Sequence, residues 1–218
     1  MNSQVISKQR VLDHGEVLTH AREVNAMLDL VKHETERVDS RFLEPACGNG
    51  NFLTEILRRK LVGVETRYAK SQLDWERSAT LAVSSVYGID ILEDNVIACR
   101  LRLFEVFDAF YTARFATQAR DECRDAVRFL LEKNIIWGDA LSLKTVGEYS
   151  KPIIFSEWSP VNGSMIKRRD FMLAYLLEKT HQYQLFNDVN EEASVPVPVK
   201  EYPLTHFLKV ADAEQLPS

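Results

Sequence analysis

The chain has 218 residues, 45% apolar and 27% charged, which suits one domain with modest appendages and a proper buried core. A formal charge of −5, from 27 basic and 32 acidic residues, argues against gripping nucleic acid across a wide surface, although a local basic patch would suffice. No apolar run approaches the roughly 20 residues of a membrane helix. The start, Met1-Asn2-Ser3-Gln4, lacks a secretory signal, and Cys47, Cys99 and Cys123 are too far apart for a disulfide framework or a zinc pattern. A cytoplasmic protein with reduced thiols is the expectation.

In chain order, the first predicted helix starts near Ala21, where Val24, Met27, Leu28 and Val31 recur at three and four, with Thr19 a better N-cap than His20. A short strand is expected at 41–44, then a glycine turn, then a helix to about Leu57 carrying Phe52 and Ile56 on one face. Thr66 to Ser84 has no glycine or proline and reads as helix. Tyr87-Gly88-Ile89-Asp90-Ile91 contains a second strand, followed by helix from Glu93 to Asp108 and another from Ala119 to Leu131. Asn134–Asp139 and Lys151–Phe155 read as third and fourth strands, and Asp170–Lys179 as helix. Residues 187–203, with three prolines, read as loop, and Leu204–Val210 as a last strand. Strands alternating with helices predict an α/β fold on a parallel sheet. The segments are a helical stretch at 1–40, a core at 41–186 and a proline-containing stretch at 187–218.

The chemistry concentrates where the predicted strands end. Glu44-Pro45-Ala46-Cys47-Gly48-Asn49-Gly50-Asn51-Phe52 leads from strand to helix through two glycines that permit positive φ and close approach of a ligand. Such a turn holds nucleotide-like ligands, but it carries an acid in place of the Gly-x-Gly-x-x-Gly or Gly-Lys-Ser/Thr pattern that phosphate calls for. A carboxylate there repels phosphate and suits a cation. Asp90, at the end of the second strand and followed by Ile91, can accept from a ribose diol or serve as a turn acid. Asp139, followed by Ala140, ends the third strand, and Ser156-Glu157-Trp158 follows the fourth. In open α/β sheets ligands sit at these carboxyl ends.

The segment 44–52 closely resembles the first motif of amino-methylating DNA methyltransferases, Glu-Pro-Ala/Ser-Cys/Ala-Gly-x-Gly-x-Phe, with Pro45, Cys47 and Phe52 matched. Tyr87–Ile91 resembles the family's second motif, and Gly15 with Thr19 partly matches its N-terminal motif, although a helix cap explains Thr19 equally well. The order is that of the gamma-type arrangement, and the likeness spans about residues 13–165. The resemblance implies a Rossmann-like class I methyltransferase sheet, abbreviated at its C-terminal end or completed by another chain. It implies S-adenosyl-L-methionine as cofactor, held by Thr19, the turn from Glu44 to Phe52, Asp90, Ile91, Asp139 near the adenine, and Ala140. The implied activity is methylation of adenine N6 in DNA, in a restriction-modification setting.

The family's catalytic loop, Asn/Asp-Pro-Pro-Tyr/Phe, orients the target amine and stacks on a flipped base. By position this chain has Ser156-Glu157-Trp158-Ser159 there. Either Ser156 or Glu157 accepts from the amine while Trp158 stacks, or catalysis is lost and the chain is a silent cofactor-binding module of a restriction or defence assembly. RNA or protein methylation is a third expectation, because the cofactor half does not encode the acceptor. A dehydrogenase is disfavoured, since Glu44 would face the pyrophosphate. Lys167-Arg168-Arg169 is the candidate phosphate contact for DNA, sequence recognition comes from a partner specificity subunit, from the Thr66–Ser84 stretch or not at all, and a second copy of the chain is another candidate partner.

Overall fold

The computed structural model describes residues 19–177 and 197–214. Within them α1 (Ala21–Asp29) and α2 (Lys32–Glu36) precede β1 (Phe42–Glu44), α3 (Asn51–Tyr68), α4 (Gln72–Ser84) and β2 (Val86–Asp90). Then come α5 (Glu93–Phe115), α6 (Asp121–Asn134), β3 (Ile135–Asp139) and β4 (Lys144–Thr145). The remaining strands are β5 (Ile154–Pro160), β6 (Met165–Met172), β7 (Lys200–Glu201) and β8 (Thr205–His206). The result is a mixed α/β fold. One sheet has the order β1-β2-β3-β4, its first three strands parallel and β4 antiparallel. A second sheet is antiparallel throughout, with β6 paired to β5, β7 and β8. Among the described residues no helix is long and apolar enough to cross a membrane.

The parallel sheet has apolar packing on both faces, as parallel sheets require. On one side α3 presents Leu53, Ile56, Leu57, Lys60, Leu61 and Val64, spaced three and four apart and all buried. That stripe carries the helix to Tyr68, past the expected end near Leu57. Gly63 lies in it because a Cβ there would come within 3.3 Å of the Glu36 carbonyl oxygen at the end of α2. The expected helix from Thr66 to Ser84 is two helices, because Ser71 restarts the chain by accepting the Asp74 N–H on its Oγ at 3.3 Å. Opposite, Tyr87 and Ile89 of β2 pack with Ile153, Phe155 and Leu173.

Four expectations are corrected. The end of the predicted fourth strand, Ile154–Phe155, and the loop expected after it form one strand, β5, paired antiparallel with β6 through the Asn162-Gly163 turn. The helix predicted from Asp170 begins at 173, because β6 runs on to Met172, while residues 178–179 lie outside the described residues. The N-cap of α1 is His20 and not Thr19, with the His20 N–H donating to Glu23 Oε2. The last strand is only Thr205–His206 before a 3₁₀ turn at Phe207–Lys209. Residues 187–196 of the predicted loop and Gly15 of the N-terminal motif lie outside the described residues; Lys200–Glu201 forms β7. Both flanks of the predicted core join it: Val24 and Leu28 before, Phe207 and Val210 after.

Candidate functional site

The register of β1, β2 and β3 places the three strand-end acids. Glu44 is level with Gly88, two residues short of Asp90, and Asp90 is level with Trp137, two residues short of Asp139. Side chains two apart along a strand share a side, and level residues of parallel neighbours do too. Glu44, Asp90 and Asp139 therefore stand on one side of the sheet, in a staggered row at its carboxyl ends. It is the α3 side: a Cβ on Gly88 would lie 2.9 Å from Leu53 Cδ1 and 3.0 Å from Cys47 Sγ. Glycine at 88 lets the turn and the first turn of α3 lie down on β2.

The turn itself is tightly fixed. The Cys47 N–H donates to the Ile89 carbonyl at 2.9 Å, and the Cys47 carbonyl accepts the Gly50 N–H at 2.8 Å. Gly48 at φ 51° and Gly50 at φ 88° occupy the left-handed region that favours glycine. Asp90 is buried, and its carboxylate accepts from Gly48 N at 2.8 Å, Leu92 N at 2.9 Å and Asn95 Nδ2 at 3.2 Å. Asp90 thus latches the glycine turn to the end of β2, a role in addition to the ribose contact expected of it. Among the described residues Oδ2 accepts from Gly48, and a carboxylate oxygen has a second lone pair for one further donor.

Burial raises the Glu44 carboxyl above its usual range, opposed by the Ala46 N–H. A desolvated acid at that point favours a cation or a hydroxyl donor. Asp139 lies at the rim, held below the usual carboxylate range chiefly by the Ser142 hydroxyl, and accepts the Leu141 N–H at 2.9 Å. Pro45 and Ala46 are exposed, Ile91 is half-exposed, and Phe52 and Ala140 pack against the two apolar clusters. The Ile91 carbonyl accepts Trp137 Nε1 at 3.0 Å. A hydrogen bond to the Cys99 thiol, together with burial, holds Cys47 above the ordinary thiol range, so it is a packing residue and not a nucleophile. The Thr19 carbonyl accepts Asn51 Nδ2 at 3.0 Å, tying the chain before α1 to the turn. A groove of about 660 Å³ lies along this flank, lined by Thr19, Asn49, Asn51, Arg58, Arg102 and Glu105 among others.

The acceptor segment is arranged differently from a loop. Along β5, Ser156 and Trp158 point to one side and are buried, while Glu157 points to the other. Trp158 donates its indole N–H to Asn134 Oδ1 at 3.1 Å and meets Phe129 edge-on. Ser156 donates to Asp170 Oδ1 at 2.7 Å, and its carbonyl accepts the Tyr87 hydroxyl. Glu157 pairs with Arg41 and with Arg169 at 2.9 Å, beside a cavity of about 580 Å³ lined by Tyr87, Phe155 and Leu173. The three residues share a strand but not a face.

The basic run is also tied up. Arg168 is buried, forked onto Asp170 with both bonds at 2.9 Å, and paired with Glu214 at 2.7 Å. Lys167 pairs with Glu201 at 3.0 Å. Every member of Lys167-Arg168-Arg169, the candidate phosphate contact, thus has a carboxylate partner, and alternate residues of β6 face inward. Sequence reasoning gave no role to Gly88, Asn95 and Arg102, whose importance comes only from where the turn lies; Gly88, two residues before the strand-end acid, was the visible signal.

The fold and the site define an α/β protein with a carboxylate-rimmed glycine turn at the carboxyl ends of three parallel strands. Comparison of the chain with protein-family models, curated proteins and solved structures gave no match.

Proposed function

We propose that the protein binds S-adenosyl-L-methionine at the glycine turn and acts as a cofactor-binding module of the methyltransferase type. What carries this reading is the row Glu44, Asp90, Asp139 on one side of three parallel strands, over a turn whose glycines adopt positive φ. The donor set fits the ligand. Carboxylates suit a sulfonium, an ammonium and ribose hydroxyls, and a cation beside half-buried Glu44 would offset the desolvation that raises its carboxyl. The row β1-β2-β3 and its acids support a Rossmann-like relationship. When bound, the cofactor would supply a methyl group activated on sulfur.

The acceptor half favours a silent module over transfer to adenine N6 of DNA. A base could stack on Trp158 only if β5 left Phe129 and Asn134, and Ser156 is spent on Asp170. Glu157 borders a cavity with its side chain directed away from Ser156 and Trp158, but two arginines already hold its carboxylate. DNA, a specificity subunit or a second copy would have to meet the chain elsewhere than through Lys167–Arg169.

Calorimetric titration with S-adenosylmethionine tests the binding. Micromolar affinity is expected, weakened at least tenfold in Glu44→Gln, with no methyl transferred to duplex DNA from radiolabelled cofactor. Absence of binding by the intact chain sinks the cofactor reading. Binding with transfer that Glu157→Gln abolishes sinks the silent one and restores the DNA methyltransferase.

A further inference from the structure

The glycine turn is gripped from two directions, and both grips come from the β2–α5 unit. From the end of β2, Asp90 Oδ2 takes the Gly48 N–H at 2.8 Å. From α5, twelve residues further on, Arg102 reaches the opposite flank. A single nitrogen, Nη1, donates to the Asn49 carbonyl at 2.7 Å, to Asn49 Oδ1 at 2.7 Å and to Asn51 Oδ1 at 2.8 Å. With both amide oxygens turned to the guanidinium, the Asn51 amide nitrogen is left facing the Thr19 carbonyl, which it meets at 3.0 Å. The chain of contacts runs from Arg102 through Asn51 to Thr19, joining α5, the turn and the segment that enters α1.

This arrangement is more than the backbone of the turn requires. Gly48 and Gly50 already accept the positive φ, and Cys47–Gly50 and Gly48–Asp90 hydrogen bonds already close the turn. Arg102 adds the orientation of two side chains and the tether to Thr19. Among the described residues no carboxylate lies within ion-pair range of Arg102, unlike Arg58, Arg59 and Arg168, so its charge is directed at the turn. Arg102 is half-buried and lines the groove of about 660 Å³.

We infer that Arg102 is a positioning residue for cofactor binding: it fixes Asn49, Asn51 and the Thr19 backbone, and so pre-forms the wall of the seat. The inference rests on the reading of the turn as the cofactor's seat. Its physics is pre-organisation, in which ordering done in the free protein is not charged against the binding step. The geometry also says what can replace Arg102. A bidentate arginine site cannot use lysine, but here three acceptors converge on one nitrogen, and a lysine ammonium offers three donors at one point.

The test is calorimetric titration of the full chain with S-adenosylmethionine for the native protein, Arg102→Lys and Arg102→Gln, beside thermal unfolding of all three. Arg102→Gln is expected to bind tenfold or more weakly and Arg102→Lys within about threefold of native, with melting temperatures close together. Native protein that binds none overturns the cofactor reading and this role with it. Native binding matched by Arg102→Gln overturns the positioning role alone. So does equal loss in both variants, or loss that follows a fall in melting temperature, because a merely structural arginine would behave that way.

Discussion

Lys60 offers the sharpest test of how this fold is held. It sits within the apolar stripe of α3, is fully buried, and directs its ammonium into a cage of oxygens. Nζ donates to the carbonyls of Ser40 and, at 3.2 Å, Val38, and to Ser85 Oγ at 2.7 Å, so it ties α3 to the entry of β1 and to the α4–β2 junction. Lys60→Met keeps the stem and removes the donors. The single Ser85 hydroxyl proton lies between Val38 O at 3.2 Å and Ala82 O at 2.7 Å, so Val38 keeps at most a shared donor while Ser40 O loses the Lys60 bond. One to two orphaned acceptors at roughly 1–3 kcal/mol each, less the relieved desolvation of the ammonium, predict a loss of about 2–4 kcal/mol in urea unfolding at pH 7. Burial pushes Lys60 down to about 7 from 10.5, with Asp39 and Glu34 opposing and Arg37 reinforcing. The folded state then binds fewer protons than the unfolded one between those values. Native stability should therefore rise with pH from about 7 to about 10.5, by up to roughly 1.4 kcal/mol per unit, and stay flat below. The Met variant lacks this rise, so the gap between the two should widen with pH. A variant within 0.5 kcal/mol of native, on the order of an ordinary surface change, would refute the orphaned-acceptor argument. A gap constant from pH 7 to 10 would show that the oxygen cage holds the ammonium charged.

Trp158→Ala should cost about 3–5 kcal/mol by chemical denaturation, from the emptied volume beside Phe129, whereas a tryptophan poised for base stacking would leave stability near native. Gly50→Ala should cost about 2–4 kcal/mol, combining an alanine at φ 88° with a Cβ placed 2.7 Å from Cys99 Sγ, and a melting temperature near native would contradict the turn geometry.

The sequence by itself determined β1–β3, the glycine turn and the helices around them, because there the apolar spacing and the glycine chemistry are local signals. Phe52, Ile56 and Leu57 announce α3, and Asp90 and Asp139 mark strand ends wherever the chain is carried. Only the tertiary structure decided that Ser156-Glu157-Trp158 is mid-strand and that Arg168 is inside. In β5 and β6 the inward face holds Ser156, Arg168 and Asp170 beside Trp158 and Ile166, so polar residues break the run that would mark a buried face. Those groups can be buried because they satisfy one another: Ser156, Arg168 and Tyr202 all bond to Asp170, and Tyr202 arrives from 32 residues away. The same holds for Arg102 and Lys60, surface-like letters whose partners lie 20 to 53 residues distant. A charge enters a core only when distant acceptors converge on it, and no local pattern records that convergence.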